Sequence, residues 1–270
     1  MTERTTVTPP EWQQWCDAAA RQARSAGELL RRMLASPRQI QSKGFRDLVT
    51  DADFAAQALI TQGLRQEFPH HGFWAEEENS ELPTAGPVRW MVDPVDGTSN
   101  YSRGIPNFCV SIAAAVDEKV VVGVIYDPMS DELFSAVLGG GCTVNGRPVT
   151  VSQTDTLAEA AIAIDYGRRK VVRKRAIAAM LGFVHEVRNI RSIGSAALTL
   201  AWVAAGRLDA YLSFELGAWD IAAGTLMIQE AGGQVSTVEE KPLALVASTT
   251  CAASNGLLHE PLLSLLGEAI

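Results

Sequence analysis

No apolar run long enough to span a bilayer (~18 residues) occurs in the chain, and Met1 to Pro10 is polar, without the apolar core of an export signal. A membrane span and secretion by a standard signal are therefore not expected. Cysteine is scarce: Cys16, Cys109, Cys142 and Cys251 are scattered among apolar or small neighbours, with no C-x-x-C spacing. That usage fits buried thiols in a reducing cytoplasm. Positive charge is in deficit, with 23 Lys and Arg against 31 Asp and Glu, a net charge of −8 and a pI near 5.1. Nucleic acid and anionic membrane are thus not expected as partners. Repeats and low-complexity tracts are missing, and Gly139-Gly140-Gly141 lacks the Lys-Ser/Thr that would make it a phosphate loop. With 270 residues, 47% of them apolar, there is material for one large core or two modest ones.

Against this background one stretch stands out, Trp90-Met91-Val92-Asp93-Pro94-Val95-Asp96-Gly97-Thr98-Ser99-Asn100-Tyr101. The apolar run Trp90 to Val92 ends a buried strand. Asp93 and Asp96 follow at i, i+3 around a proline, and a regular strand would send them to opposite faces. A tight elbow instead brings both carboxylates and the carbonyl of Val95 to one point, where three hard oxygens invite Mg²⁺. The amides of Gly97 and Thr98 then head a helix, where unpaired N–H groups attract phosphate. The same residue types also suit an Asx-rich turn capping a helix.

Along the chain, Glu11 to Leu34 reads as one amphipathic helix with Trp12, Trp15, Cys16, Ala19, Ala23, Ala26, Leu30 and Met33 inward. A second helix, about Asp53 to Phe68, is expected to turn Phe54, Ala58, Leu59, Leu64 and Phe68 inward, with Thr50, Asp51 and Asp53 as capping residues. Phe73 to Glu78 is a strand end delivering Glu76, with Glu78 on the surface. Phe108 to Val116, Val120 to Tyr126 and Glu132 to Ala136 form an antiparallel meander, and Asn145-Gly146 makes a hairpin turn before Arg147 to Val151. Beyond it, strands at 160–164, 183–188, 209–214, 234–238 and 244–248 alternate with helices at 170–182, 195–206, 220–231 and from 256, a pattern of helices packed on a sheet. Arg168, Arg169, Lys170, Arg173, Lys174 and Arg175 form a basic cluster, either a solvated face or a cationic rim for an anionic substrate or a dimer partner.

The elbow resembles the W-x-[IV]-D-P-[IVL]-D-G-T-x-N-[FY] signature of the inositol monophosphatase family of magnesium-dependent, lithium-sensitive sugar phosphatases. Three further segments agree in order: Asp47-Leu48-Val49-Thr50-Asp51-Ala52-Asp53 with D-x-V-T-x-x-D, Trp74-Ala75-Glu76-Glu77 with G-E-E, and Trp219-Asp220-Ile221-Ala222-Ala223-Gly224 with W-D-x-A-A-G. The resemblance implies an α/β chain of layered αβαβα architecture. An α+β half, residues 1–150, would carry most metal ligands, and an α/β half, residues 151–270, would complete the site.

It also implies hydrolysis of a small phosphate monoester with two or three Mg²⁺ ions, held by Glu76, Asp93, Asp96, Asp220 and the Val95 carbonyl. Thr98 and Asp53 would orient the attacking water, with Glu76 holding the cation that activates it. Asp96, Gly97, Thr98, Gly194, Ser195, Ala196, Glu215 and Asp220 would contact the substrate, and Glu77 and Lys43 would support from behind. Asp220 and Gly194-Ser195 suit plain helix starts as well. A cytoplasmic homodimer is the expected assembly.

Departures concern the substrate. Ser213 stands where inositol-phosphate-cleaving relatives carry a hydroxyl-binding glutamate, so either Glu215 takes that role across a shorter loop or the contact is lost. Ala75 replaces a glycine, and Lys43 lies one position closer to Asp47 than the family pattern. Inositol monophosphate is the first expectation, with histidinol phosphate, fructose 1,6-bisphosphate and 3′-phosphoadenosine 5′-phosphate open. A regulatory protein that binds RNA polymerase or RNA without catalysis is the rival of a different class.

Overall fold

The computed structural model describes residues 9–36, 40–44, 47–77, 80–82 and 87–266. Helix α1 (Pro10–Leu34) starts on a proline, whose missing N–H is no loss in a first turn. It buries a stripe of Ala18, Ala19, Ala23, Ala26 and Leu30. After an antiparallel pair, β1 (Ile40–Gly44) and β2 (Asp47–Thr50), the chain enters α2 (Asp51–Glu67). The inward stripe of α2 is Ala52, Ala56, Ile60 and Leu64, at i+4 intervals, with Asp53 buried beside it. This corrects the expected set: Leu59 and Phe68 are only partly buried, and Phe54 and Ala58 are exposed. The helix start sets the phase, because Asp53 turns inward to accept from the Thr50 amide at 2.9 Å and the Thr50 hydroxyl at 2.5 Å.

Both helices cover one face of an eight-stranded sheet. Its strands are β3 (Gly72–Ala75), β4 (Ser80–Leu82), β5 (Val88–Asp96), β6 (Cys109–Val116), β7 (Lys119–Asp127), β8 (Glu132–Val137), β9 (Gly141–Val144) and β10 (Arg147–Val149). The order is β10-β9-β8-β7-β6-β5-β3-β4. From β5 onward it is the expected antiparallel meander, and Asn145 and Gly146 take the positive φ values, 48° and 75°, that a two-residue hairpin turn needs. Only β3 runs parallel to its neighbour β5, so the ends of both strands deliver residues to one edge.

A short helix α3 (Thr98–Arg103) follows the elbow. The second sheet holds β11 (Ala161–Asp165), β12 (Asn189–Arg191), β13 (Ala210–Leu216), β14 (Gln234–Ser236) and β15 (Thr249–Ser254), in the order β12-β11-β13-β15-β14. Helices α4 (Lys170–Phe183) and α7 (His259–Leu266) lie on its outer face, while α5 (Ala196–Ala204) and α6 (Ala218–Glu230) lie between the two sheets. The layers therefore run αβαβα. The middle layer packs tightly: a Cβ on Gly123 of β7 would lie 2.7 Å from the carbonyl oxygen of Ala223 in α6.

Two expected strands are displaced. Residues 183–188 are the end of α4 and a turn, because Phe183 packs into the core as the last helical residue, and the strand begins only at Asn189. Residues 244–248 form no strand; β15 begins at Thr249 and fills the interior of the second sheet, between β13 and β14. Lys43 lies in β1, with its side chain outside the described residues, as is Glu78. No helix among the described residues is long and apolar enough to cross a membrane.

Candidate metal centre

Strand β5 runs through the elbow rather than ending before it. Asp93 pairs with Ser111 and Asp96 with Cys109 of β6, so three steps on one strand oppose two on the other. That bulge cancels the alternation that would split the two carboxylates across the sheet. Pro94, which cannot donate to a ladder, sits inside the bulge, where proline is tolerated. Asp93 accepts the Val95 amide through Oδ1 at 3.0 Å, closing the turn.

Asp220 arrives from the first turn of α6, its Oδ2 capped by the Gly217 amide at 2.6 Å. The preceding Trp219 packs edge-on against Trp74 at 5.5 Å, and its carbonyl accepts the Ser111 hydroxyl at 3.3 Å, tying α6 to β3 and β6. Carboxylate oxygens of Asp93, Asp96 and Asp220 consequently lie within 4.8 Å of one another. Glu76, just past β3, hydrogen-bonds with Asp93 and adds its charge to Asp93 and Asp220.

Burial first, and then the charges of Glu76, Asp96 and Asp220, push the Asp93 carboxyl far above its ordinary range. Asp220 is raised likewise, by burial and then by Glu76 and Asp96. Clustered buried anions are costly unless cations neutralise them. A donor set of carboxylate oxygens, with the buried Val95 carbonyl in the same bulge, fits hard divalent cations such as Mg²⁺.

Asp96 has a second attachment that sequence spacing could not reveal. Its Oδ2 accepts the Ser195 hydroxyl, the Ala197 amide at 2.8 Å and the Leu198 amide at 3.4 Å, and its Oδ1 accepts the Ala196 amide at 3.2 Å. It thereby caps α5 from a hundred residues away. Burial raises its carboxyl even so, against the pull of these donors. Ser195 and Ala196, expected to face the substrate, are buried and face Asp96, whereas Gly194 is exposed.

Thr98 opens α3 with its hydroxyl 3.1 Å from Asp53 Oδ1 and 3.1 Å from the Val95 carbonyl. The expected pairing of Thr98 with Asp53 is thus formed. Gly97, at φ 97°, makes the turn between bulge and helix, and a Cβ there would meet the Asn107 carbonyl at 2.9 Å and the Gly194 carbonyl at 3.2 Å. Glu77 is fully buried behind Glu76, its amide accepted by Gln57 Oε1 at 3.0 Å.

Glu215, at the end of β13, accepts the amides of Arg168 at 3.0 Å and Arg169 at 3.3 Å and pairs with the Arg169 guanidinium. The sequence carries no motif that points to another carboxylate, Asp165 at the end of β11. Asp165 accepts the Tyr211 hydroxyl at 2.7 Å, and burial raises its carboxyl.

The model of the inositol monophosphatase family matches residues 11–270. Inositol monophosphatase 2 of Solanum lycopersicum is 39% identical over 266 residues, covering 95% of this chain and 99% of its own. The protein named Nus factor SuhB of Escherichia coli (strain K12) is 38% identical over 221 residues, 81% of this chain and 83% of its own. The crystal structure of the extragenic suppressor protein suhB from Bartonella henselae superposes with a TM-score of 0.89 at 36% identity, over 94% of this chain and 98% of the other.

Proposed function

Because the chain belongs to the inositol monophosphatase family, whose members are metal-dependent phosphatases, we propose that it hydrolyses small sugar or polyol phosphate monoesters with Mg²⁺. Inositol monophosphate is the first candidate substrate, on the strength of relatives that carry its name. The observation that carries this reading is the convergence of Asp93, Asp96 and Asp220 from two distant parts of the chain, with Glu76 beside them. Capping and turn closure account for each carboxylate singly but not for their convergence, and phosphoryl transfer does require positive charge held at one point.

Glu76, Asp93, Asp96, Asp220 and the Val95 carbonyl would hold the cations. Bound there, these supply positive charge to the phosphate oxygens and acidify water. The Thr98 hydroxyl has one proton, and Asp53 Oδ1 and the Val95 carbonyl compete for it. Given to Asp53, it leaves the Thr98 oxygen lone pairs to accept from an attacking water and orient it. Asp53 is fixed for this by its two bonds from Thr50. The Gly97 turn brings the 97–98 backbone beside the carboxylates, where its amides would bind the ester phosphate. Ser195 and the 196–198 amides hold Asp96 in place.

A second reading follows from the relatives named Nus factor: a regulatory protein that keeps the fold without the chemistry. The carboxylate centre favours the enzyme, since a binding surface has no need of it. Ranking a panel of phosphomonoesters by kcat/KM tests the proposal. Inositol 1-phosphate should stand in the leading group with histidinol phosphate, fructose 1,6-bisphosphate and 3′-phosphoadenosine 5′-phosphate as comparators. Turnover of none of them would leave the regulatory reading.

A further inference from the structure

The basic cluster at the start of α4 does not form a uniform solvated face. Two of its arginines belong to a loop, residues 166–169, that closes around Glu215. Gly167 turns the loop at φ 69°, and a Cβ there would lie 3.1 Å from Glu215 Oε2, so the backbone wraps the carboxylate closely. Glu215 Oε2 then accepts both the Arg168 and the Arg169 amides, and Oε1 engages the Arg169 guanidinium. With its own guanidinium committed to Glu215, Arg169 acts as an anchor. Arg168 projects the other way: its Nη2 lies 3.7 Å from Glu76 Oε1, with 55% of its side-chain surface open to solvent against 10% for Glu76.

This puts a positive charge, on a backbone anchored by Glu215, at the rim of an acidic centre in a chain of net charge −8. The ester phosphate belongs deeper, among Asp93, Asp96, Asp220 and the 97–98 turn. The guanidinium, more than half open to solvent beside Glu76, is placed to meet an anionic group on the part of a substrate that lies across the rim. Its planar fork matches phosphate or carboxylate oxygens in pairs, whereas a neutral hydroxyl offers it only a single weak acceptor.

Resting on the phosphomonoesterase reading above, we propose that Arg168 is a specificity-determining residue that selects esters bearing a second anionic group beside the one cleaved, and that Glu215 is the positioning residue that aims it. For one parent alcohol, this favours the bisphosphate over the monophosphate. It also assigns the Glu215 carboxylate to the loop rather than to a substrate hydroxyl.

The test uses matched pairs that differ in one phosphate: adenosine 3′-phosphate against adenosine 3′,5′-bisphosphate, and fructose 1-phosphate against fructose 1,6-bisphosphate. The measured quantity is the ratio of kcat/KM, bisphosphate over monophosphate. The unmodified protein should show a ratio well above one for at least one pair, and Arg168→Gln should lower that ratio about tenfold, the worth of one charge-assisted contact. Arg168→Lys, which keeps the charge and loses the fork, should restore part of it. Glu215→Gln should also lower the ratio, and should lower it no further when combined with Arg168→Gln, which a merely structural role for Glu215 would not produce. A ratio near one in the unmodified protein, or one that Arg168→Gln leaves unchanged because both members of a pair fall together, overturns the proposal while leaving the hydrolase reading standing. No phosphate release from any ester, para-nitrophenyl phosphate included, overturns both.

Discussion

Replacing Asp93 with Asn separates what the carboxylate cluster costs the fold from what it does for function. Asp93, Asp96 and Asp220 bring oxygens within 4.8 Å of one another. At that distance and an effective dielectric constant of about 20, two unit charges repel by roughly 3.5 kcal/mol. Asp93 takes part in two such pairs, and proton uptake relieves part of the repulsion. Asp93→Asn keeps the volume and the Oδ1 that accepts the Val95 amide. Without metal it should therefore be more stable than the unmodified protein near neutral pH, by about 2–3 kcal/mol, or a Tm increase of roughly 5–10 °C. With Mg²⁺ the order should reverse or close. The unmodified protein gains ~2.7 kcal/mol when the ion is at a hundred times its Kd, and the variant, having lost a central ligand, gains little. Thermal unfolding followed by circular dichroism, in chelator and in Mg²⁺, reads both effects. A variant that melts lower in chelator, or that gains as much from Mg²⁺ as the unmodified protein, would refute the assignment of Asp93 to a cation site.

Thr98→Ala should lower kcat by ~10²–10⁴-fold with little change in KM, as for a contact made in the transition state, while stability falls by only about 1 kcal/mol; spared kcat would reduce Thr98 to a helix-start residue. Metal-free stability should depend on pH with a definite sign. Asp93, Asp96 and Asp220 are raised in the folded state, so the folded chain holds protons that the unfolded chain releases, and stability declines as pH rises above the ordinary carboxylate range (~4) through the raised values. His71 and His259, held low by burial, act in the opposite sense. Both effects are separated by taking the Tm with Mg²⁺ minus the Tm in chelator between pH 5 and 8; this difference should grow with pH, and a flat difference would contradict the cluster's electrostatics. Gly97→Ala should cost about 2 kcal/mol for the left-handed backbone alone, with activity falling as the 97–98 turn moves, and an unchanged Tm would show the turn to be compliant.

The carboxylates were legible in the sequence because they sit in short, dense segments. Asp93 and Asp96 are three apart, so only a turn or bulge could unite them, and the bulge opposite Ser111 and Cys109 does so. The capping of α5 by Asp96 was not legible, since a hundred residues separate the partners and either half reads as complete by itself. The phase of α2 differs from the expected one because small alanines, rather than the large apolar side chains, line most of its buried face. Phe54 is 40% exposed, while the buried stripe uses Ala52 and Ala56 and takes its register from Asp53. β15 was displaced for a related reason. Thr249-Thr250-Cys251-Ala252-Ala253-Ser254 is made of small residues with weak apolar periodicity, yet it pairs with β13 and β14 on both edges. The part played by Glu215 depended on the path of the 166–169 loop, which alternation and propensity do not encode.

The central claim, that the cluster around Asp93 is a catalytic cation site, is tested most directly by phosphate release from inositol 1-phosphate titrated with Mg²⁺ against a chelator control. Saturable release that begins only with Mg²⁺, and that Asp93→Asn abolishes although its fold is retained, is the predicted result. Release that persists in chelator, or that Asp93→Asn leaves intact at saturating Mg²⁺, would contradict it.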